Sequence, residues 1–287
     1  MCRINLRNPN VNTELDSLVA AFNSDDETAL MAASGQQTQQ RQTGLPRLNI
    51  NYDMETEEGL ALTRGDWKVY VDGRFLYAPT VQLRPILRTF EYSLWDADEG
   101  AFKCKSVQKP TISGEFPDTE GKNKCGRLSR DEEETASEEA QMRSRAVVCN
   151  QVIYGQLSGT FNAADGTEVT LDAQPVVAYF KRSGYKPIGD FIDGLSRQKK
   201  LMQRQMVNLA TSKAKKGSVT YWIPVPTLHG EVPITEADKQ LMGMFAETVS
   251  AHNNYVMEQN REATKLNNMT GGGDFDLADD FTDVDAA

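Results

Sequence analysis

Alternating hydrophobic and polar residues mark a series of short strands in the middle of the chain. Trp67, Val69 and Val71 are separated by Lys68 and Tyr70, and this period of two predicts a half-buried strand. The Asp-Gly pair at 72–73 is a strong hairpin signal, so the following residues should form the return strand. Similar runs recur up to about residue 225, with turn residues between them. This pattern predicts a closed or partly open barrel rather than a βαβ sheet.

Two other segments show the period of a helix. From residue 187 apolar side chains recur at spacings of three and four, which predicts a short amphipathic helix. Thr235 and Asp238 have the spacing of a capping box, so a longer helix should begin there and run to about residue 266. The acidic run at 131–139 is expected to form a helix on the surface.

These elements predict a mainly β chain of the α+β class with accessory helices. Residues 1–44 are expected to form a flexible arm, and residues 45–234 a folded body with an insertion at about 103–145. Residues 235–268 should form a long C-terminal helix. Residues 269–287 combine glycines, aspartates and few apolar residues, so they should form a disordered acidic tail.

Charge is distributed unevenly along the chain. The net charge is −10, but the last seventeen residues contain six aspartates and no basic residue. Residues 181–216, in contrast, contain ten lysines and arginines against two aspartates. A chain with an acidic total can therefore still present a positive surface to a polyanion.

Basic and aromatic residues are interleaved along the predicted strands. Proteins that hold single-stranded nucleic acid combine a positive groove with aromatic faces on which bases stack. About half of the aromatic residues should be buried, because one face of each strand is core. The candidate nucleic-acid contacts are Tyr70, Arg74, Arg84, Arg88, Trp95, Lys181, Arg182, Tyr185, Lys186, Lys199, Lys200, Lys213, Lys215 and Lys216.

Catalytic signatures are missing from the sequence. His229 and His252 are the only histidines, and there is no phosphate-binding GxxxxGK[ST] loop, GxSxG elbow or HExxH pair. We therefore expect a binding protein without a cofactor rather than an enzyme. Cys104, Cys125 and Cys149 surround the insertion, and with a His or Asp they could hold zinc. The alternative interpretation is that they are core or loop thiols.

Three stretches resemble proteins of a known family. Residues 65–70 (GDWKVY), 124–128 (KCGRL) and 179–188 (YFKRSGYKPI), together with a glycine hinge and an acidic tail, are similar to the single-stranded-DNA-binding (helix-destabilising) proteins of tailed bacteriophages. The resemblance implies an OB-like β-barrel that coats single strands during phage replication, recombination and repair in the cytoplasm of the bacterial host. No apolar run approaches the length of a membrane span, so no membrane association is expected, and self-association is left open.

The resemblance also implies a role for the tail. The tail would recruit a polymerase, primase or helicase, and it would compete with DNA for the basic groove. Its candidate partner-binding residues are Asp274, Phe275, Asp276, Asp279, Asp280, Phe281, Asp283 and Asp285. Two other functions remain open from the sequence. One is a virion or assembly protein that does not bind DNA, and the other is a metal-dependent nuclease or recombination enzyme that uses scattered carboxylates.

Overall fold

A computed structural model describes residues 44–96 and 99–271, with side chains up to residue 267. From Pro46 onwards these residues belong to one compact unit. The strands are β1 (Arg47–Ile50), β2 (Trp67–Val71), β3 (Arg74–Ala78), β4 (Val81–Asp96), β5 (Ala101–Lys105), β6 (Val148–Ala163), β7 (Glu168–Phe180), β8 (Gln205–Lys216) and β9 (Val219–Glu231). The α-helices are α1 (Arg130–Thr135), α2 (Glu138–Ala146), α3 (Tyr185–Arg197) and α4 (Glu236–Gly271).

Five of the strands form a closed ring. Their order is β3-β2-β1-β7-β6, and β6 pairs in turn with β3. The pairing of β1 with β7 is parallel, and the other pairings in the ring are antiparallel. Trp67, Val69 and Leu157 are buried in the hydrophobic core that this ring contributes to. The prediction of a mainly β chain is confirmed.

The hairpin between β2 and β3 follows its sequence signal. Asp72 and Gly73 both have a positive φ, 50° and 80°, as a tight two-residue turn that matches the twist of the strands requires. Gly65 precedes β2 with a φ of 95°, and a Cβ at this position would collide with the Trp222 ring. Glycine is therefore needed in the GDWKVY stretch for both backbone conformation and space.

The sheet continues beyond the ring through β4, which pairs with β6, β8 and β5. Simple alternation fails along β4, because residues on both of its faces are buried. Leu83 belongs to the core of the ring, whereas Phe90 and Tyr92 belong to a second core with Val256 of α4. The helix thus covers part of the sheet that the sequence pattern alone would leave half exposed.

The predicted insertion at 103–145 packs onto the body. It contains the end of β5, a 3-10 turn at Lys124–Gly126, all of α1 and most of α2. Phe116 and Cys125 are fully buried and join the second core. The acidic run forms two short helices, one capped by Ser129 and the other by Ser137, so the expectation of helix in this run is confirmed.

Both predicted amphipathic helices are present. In α3, Ile188, Ile192 and Leu195 are buried. At the start of α4, Asp238 N donates to Thr235 Oγ1 while Thr235 N donates to Asp238 Oδ2 at 2.7 Å, which completes the capping box. None of the described helices has the length and apolar character that crossing a membrane requires. The predicted arm at 1–44 and tail at 269–287 lie almost wholly outside the described residues.

Candidate nucleic-acid interface

The surface of the described residues contains a cleft with a volume of about 1030 Å³ and a basic lining. We call it the basic cleft. Two tyrosines also line it, Tyr92 from β4 and Tyr185 from the start of α3, and Glu132 is the one carboxylate among its described lining residues. The basic side chains of the lining are Lys122, Lys124, Arg127, Arg145 and Arg182. The excess of basic side chains favours binding of a polyanion.

Three of these basic residues lie on residues 122–128, which we call the basic loop. The loop is fixed on one side by α2, because Arg143 Nε donates to the carbonyl of Cys125 at 2.9 Å. In addition, Leu128 N donates to Ser144 Oγ at 3.1 Å. Gly126 has a φ of 82°, and a Cβ there would contact the Arg143 side chain. The position of the loop therefore depends on its close contact with α2.

The segment leading into the basic loop is held by α4. Asn260 Nδ2 donates to the carbonyl of Asp118 at 2.8 Å, and Asn267 Nδ2 donates to the carbonyl of Glu120 at 3.4 Å. Farther back along the same helix, Asn253 exchanges hydrogen bonds with the backbone of Gln108. The C-terminal helix thus supports one wall of the basic cleft through side-chain amides.

The titratable groups of the cleft, apart from its basic residues, are suited to binding rather than to catalysis. Burial raises the pKa of Tyr92 to about 12 and also raises the pKa of Tyr185, so both phenols stay protonated at neutral pH. Burial likewise raises the pKa of Cys149, whose thiol lies 3.9 Å from the Tyr185 hydroxyl. Hydrogen bonds from Ser129 lower the pKa of Glu132 and hold it in the helix cap. None of these groups is poised as a nucleophile or general base.

A second cleft, of about 580 Å³, shares Lys122 with the basic cleft. We call it the Trp95 cleft. Its lining includes Trp95, the basic residues Lys103 and Arg143, and the carboxylates of Asp96 and Glu139. The Trp95 ring is 51% exposed and stands edge-on to Phe102, with ring centres 4.8 Å apart. Trp95 therefore presents an open aromatic face in a cleft lined by three basic residues and two carboxylates.

Tyr70 and Arg74 lie in a third cleft, which shares no lining residue with the first two. Its volume is about 730 Å³. The Tyr70 ring is 47% exposed and contacts Phe75. Carboxylates outnumber basic residues here, however, and they are Asp53, Glu55, Glu57, Glu58 and Asp165. The structure therefore separates Tyr70 and Arg74 from the basic cleft, and this setting is unfavourable for phosphates.

Arg84 corrects the sequence interpretation, because it is buried. Its Nη1 and Nη2 donate to the two carboxylate oxygens of Asp238 at 2.8 and 2.9 Å, and both side chains are less than a tenth exposed. Two further hydrogen bonds go to the carbonyls of Gln203 and Pro233. Arg84 is therefore a structural residue that joins α4 to β4, and it is not a phosphate contact.

Two other candidates are engaged with carboxylates on α3. Arg88 pairs with Asp193 at 2.8 Å and lies over the Phe90 ring, and Lys186 pairs with Asp190 at 2.8 Å. Of the four side chains in these two ion pairs, only Arg88 is mostly buried. Water therefore screens both pairs, so each contributes little free energy and can open when a phosphate binds. Lys181 is exposed beside Arg182, at the edge of the basic cleft.

The remaining predicted bases lie elsewhere on the surface. Lys199 and Lys200 are exposed after α3, and Lys213, Lys215 and Lys216 are exposed near the tip of the β8–β9 hairpin. They line none of the three clefts described above. The predicted tail residues 274–285 lie outside the described part of the chain.

Sequence reasoning missed most of the basic lining. Lys122, Lys124, Arg127 and Arg145 lie in the insertion, where neighbouring acidic residues hide them in any local charge count. One signal was available, because the KCGRL stretch at 124–128 contributes two of these bases. Their assembly into one cleft depends on the packing of α2 against the basic loop.

Two of the three cysteines around the insertion lie together in the structure, and the third lies elsewhere. One ligand atom from each of Cys104, Asp118 and Cys125 lies within 4.8 Å of the others, and all three residues are buried. We call this group the thiol cluster. A hydrogen bond between the two thiols lowers the pKa of Cys104 and raises that of Cys125. The structure thus brings two of the three predicted cysteines together with an Asp, and it does not place Cys149 in this group.

Comparison with family models, with curated proteins and with solved structures found no match for this chain.

Proposed function

We propose that this protein binds single-stranded DNA without sequence preference, and that it does so in phage DNA replication, recombination and repair. The observation that carries the proposal is the lining of the basic cleft. Five basic side chains and two protonated tyrosines share one cleft with a single carboxylate, and a helix cap already uses that carboxylate. This arrangement occurs in a chain with a net charge of −10, so it is not a by-product of a basic composition.

The neighbouring cleft extends this surface and favours single strands. Lys122 lines both clefts and joins the basic loop to a second lining of three bases (Lys103, Lys122 and Arg143) and two carboxylates (Asp96 and Glu139), so the joined surface is a track with an excess of positive charge. A single strand needs such a track for its phosphates and open rings for its bases. Trp95 supplies an exposed ring on this track. In a duplex the bases are already stacked and paired, so they could not use it.

We further propose that the closed ring is an OB-like body, as the resemblance implies. Its five strands and its closure support this. The strands follow one another around the ring in chain order, with β1 parallel to β7, whereas an OB-fold has Greek-key connections. The likeness therefore lies in the number of strands and the closure rather than in the connectivity.

The nuclease alternative finds little support in the basic cleft. Metal-assisted phosphodiester cleavage needs several convergent carboxylates, and Glu132 is the only one among the described residues of the lining. The virion alternative predicts that the protein does not bind DNA at all. A gel shift with oligo-dT at low salt separates it from our proposal.

The direct test is a titration of the full-length protein with oligo-dT, followed by tryptophan fluorescence and by anisotropy of a labelled oligonucleotide. We expect quenching on binding, and an affinity that falls steeply between 50 and 200 mM salt as counterions are released. Trp95→Phe should remove most of the quenching. Trp95→Ala should weaken binding about 5- to 150-fold, since one base stack contributes about 1–3 kcal/mol.

Trp222→Phe is the matched control, because the Trp222 ring packs over Gly65 and against Tyr52 and lines neither cleft. Its quenching and affinity should equal those of the wild type. An absence of binding at low salt would refute the proposed function. Wild-type quenching in Trp95→Phe would show that Trp95 does not contact the bound strand.

The acidic tail gives a further prediction. Deleting residues 271–287 should tighten binding to oligo-dT and abolish binding to a phage polymerase, primase or helicase, because six aspartates that compete with DNA are lost. The effect on DNA should be largest at low salt, where charge competition is least screened. A full-length variant with the six aspartates changed to asparagine separates charge from length. Unchanged DNA affinity in both variants would contradict competition by the tail.

A further inference from the structure

The thiol cluster brings together three buried side chains that each carry a metal-ligating atom. Cys104 lies on β5, Asp118 precedes the basic loop, and Cys125 lies inside that loop. Each is at most 1% exposed. A carboxylate buried beside two thiols normally requires either compensating hydrogen bonds or a cation.

Hydrogen bonds account for only part of the acceptor capacity of Asp118. Its Oδ1 accepts from the backbone N–H groups of Glu120 and Lys122, both at 3.0 Å. Its Oδ2 accepts from Cys125 N at 2.7 Å, which leaves one lone pair on that oxygen. Carboxylates that ligate metals are commonly fixed by such additional hydrogen bonds.

The donor types select the class of cation. Two thiolates and one carboxylate oxygen suit zinc and similar thiophilic ions, whereas magnesium and calcium require mostly oxygen ligands. A tetrahedral ion needs a fourth ligand, which can be a water molecule or the Tyr92 carbonyl oxygen, to which the Cys125 thiol donates at 3.3 Å. We propose that Cys104, Asp118 and Cys125 bind one thiophilic divalent cation of the zinc class.

Such an ion would connect two separate parts of the chain. Cys104 is paired in the sheet with Leu94 of β4, whereas Cys125 lies between Lys124 and Gly126 of the basic cleft lining. The ion would therefore anchor the basic loop to β5 and restrict the positions of its lysines. This role does not depend on DNA being the ligand of the cleft.

The test is a titration of the metal-free, fully reduced, full-length protein with Co²⁺, monitored by absorption. We expect a thiolate-to-cobalt charge-transfer band and the visible bands of a tetrahedral ion, saturating at one ion per chain and abolished by added Zn²⁺. Cys104→Ser and Cys125→Ser should each remove the charge-transfer band or reduce it sharply. Asp118→Asn should weaken metal binding at least about tenfold.

Cys149→Ser is the matched control, because Cys149 lies by Tyr185 outside the thiol cluster. It should keep the wild-type spectrum. Circular dichroism of the metal-free variants identifies any that fail to fold, and the wild-type titration does not depend on them. An absence of thiolate bands in the wild type would overturn the proposal. Unchanged thiolate-to-cobalt bands in Cys104→Ser would also overturn it. A disulfide between Cys104 and Cys125 in the protein as purified would overturn it too.

Discussion

Changing Lys124, Arg145 and Arg182 together to glutamine is expected to weaken binding to oligo-dT about a hundredfold at 0.1 M salt. All three side chains line the basic cleft. Each phosphate contact on a single strand contributes about 0.7 to the slope of log affinity against log salt, so the slope should fall by about 2. Anisotropy titrations at several salt concentrations measure both quantities.

Two control triples locate the effect. Lys239, Arg261 and Lys265 lie on α4 and line none of the three clefts, so their change to glutamine should leave the slope almost unaltered. The same change at Lys213, Lys215 and Lys216 tests the hairpin tip that the sequence favoured. A larger loss from the hairpin triple than from the cleft triple would move the interface away from the basic cleft.

Arg84→Met is expected to lower the free energy of unfolding by about 3–5 kcal/mol, because it leaves the buried carboxylate of Asp238 without its charged partner. The two side chains are only 8% and 7% exposed. Methionine keeps most of the arginine stem, so lost packing should contribute little. Urea unfolding followed by circular dichroism measures the change. The double variant Arg84→Met with Asp238→Asn should recover much of the loss, because no unpaired charge then remains and the amide oxygen can still accept the capping hydrogen bond from Thr235 N.

Arg88→Met provides the comparison within the same strand. Its partner Asp193 is 58% exposed, so water can solvate the carboxylate and the expected loss is about 1 kcal/mol or less. Similar losses from the two substitutions would show that the Arg84 pair has no special role.

The same pair should affect the dependence of stability on pH. Burial alone would raise the pKa of Asp238, but hydrogen bonds from Thr235 and Arg84 outweigh it and lower the pKa. A carboxyl group with a lowered pKa stabilises the fold above its unfolded pKa of about 3.9, and this contribution is lost as the pH falls through the folded value. Arg84→Met should therefore show a smaller loss of stability between neutral pH and pH 3 than the wild type.

Local signals in the sequence predicted local structure well. The Asp-Gly turn at 72–73 and the capping box from Thr235 to Asp238 depend on neighbouring residues only, and both are present. The amphipathic period of α3 is equally local, and it identified the buried face of that helix. These features follow from backbone conformation and spacing, which the sequence encodes directly.

The site was harder to predict because its residues meet only through tertiary packing. Arg84 resembles any exposed base until Asp238, 154 residues further along the chain, lies against it. Cys104 and Cys125 become neighbours only when the insertion folds onto β4 and β5. In the folded protein Cys149 lies beside Tyr185 instead. Charge counts along the sequence favoured 181–216, whereas four of the five bases of the basic cleft come from 122–145.

The amide contacts of α4 connect the position of this helix to the position of the basic loop. Asn260 and Asn267 hold the backbone just before the basic loop, and Arg84 holds the first turn through Asp238. A ligand that displaced the helix would therefore also displace the backbone that leads into the basic loop. Thermodynamic linkage would then require a ligand of the loop to change the affinity of the first ligand by the same factor.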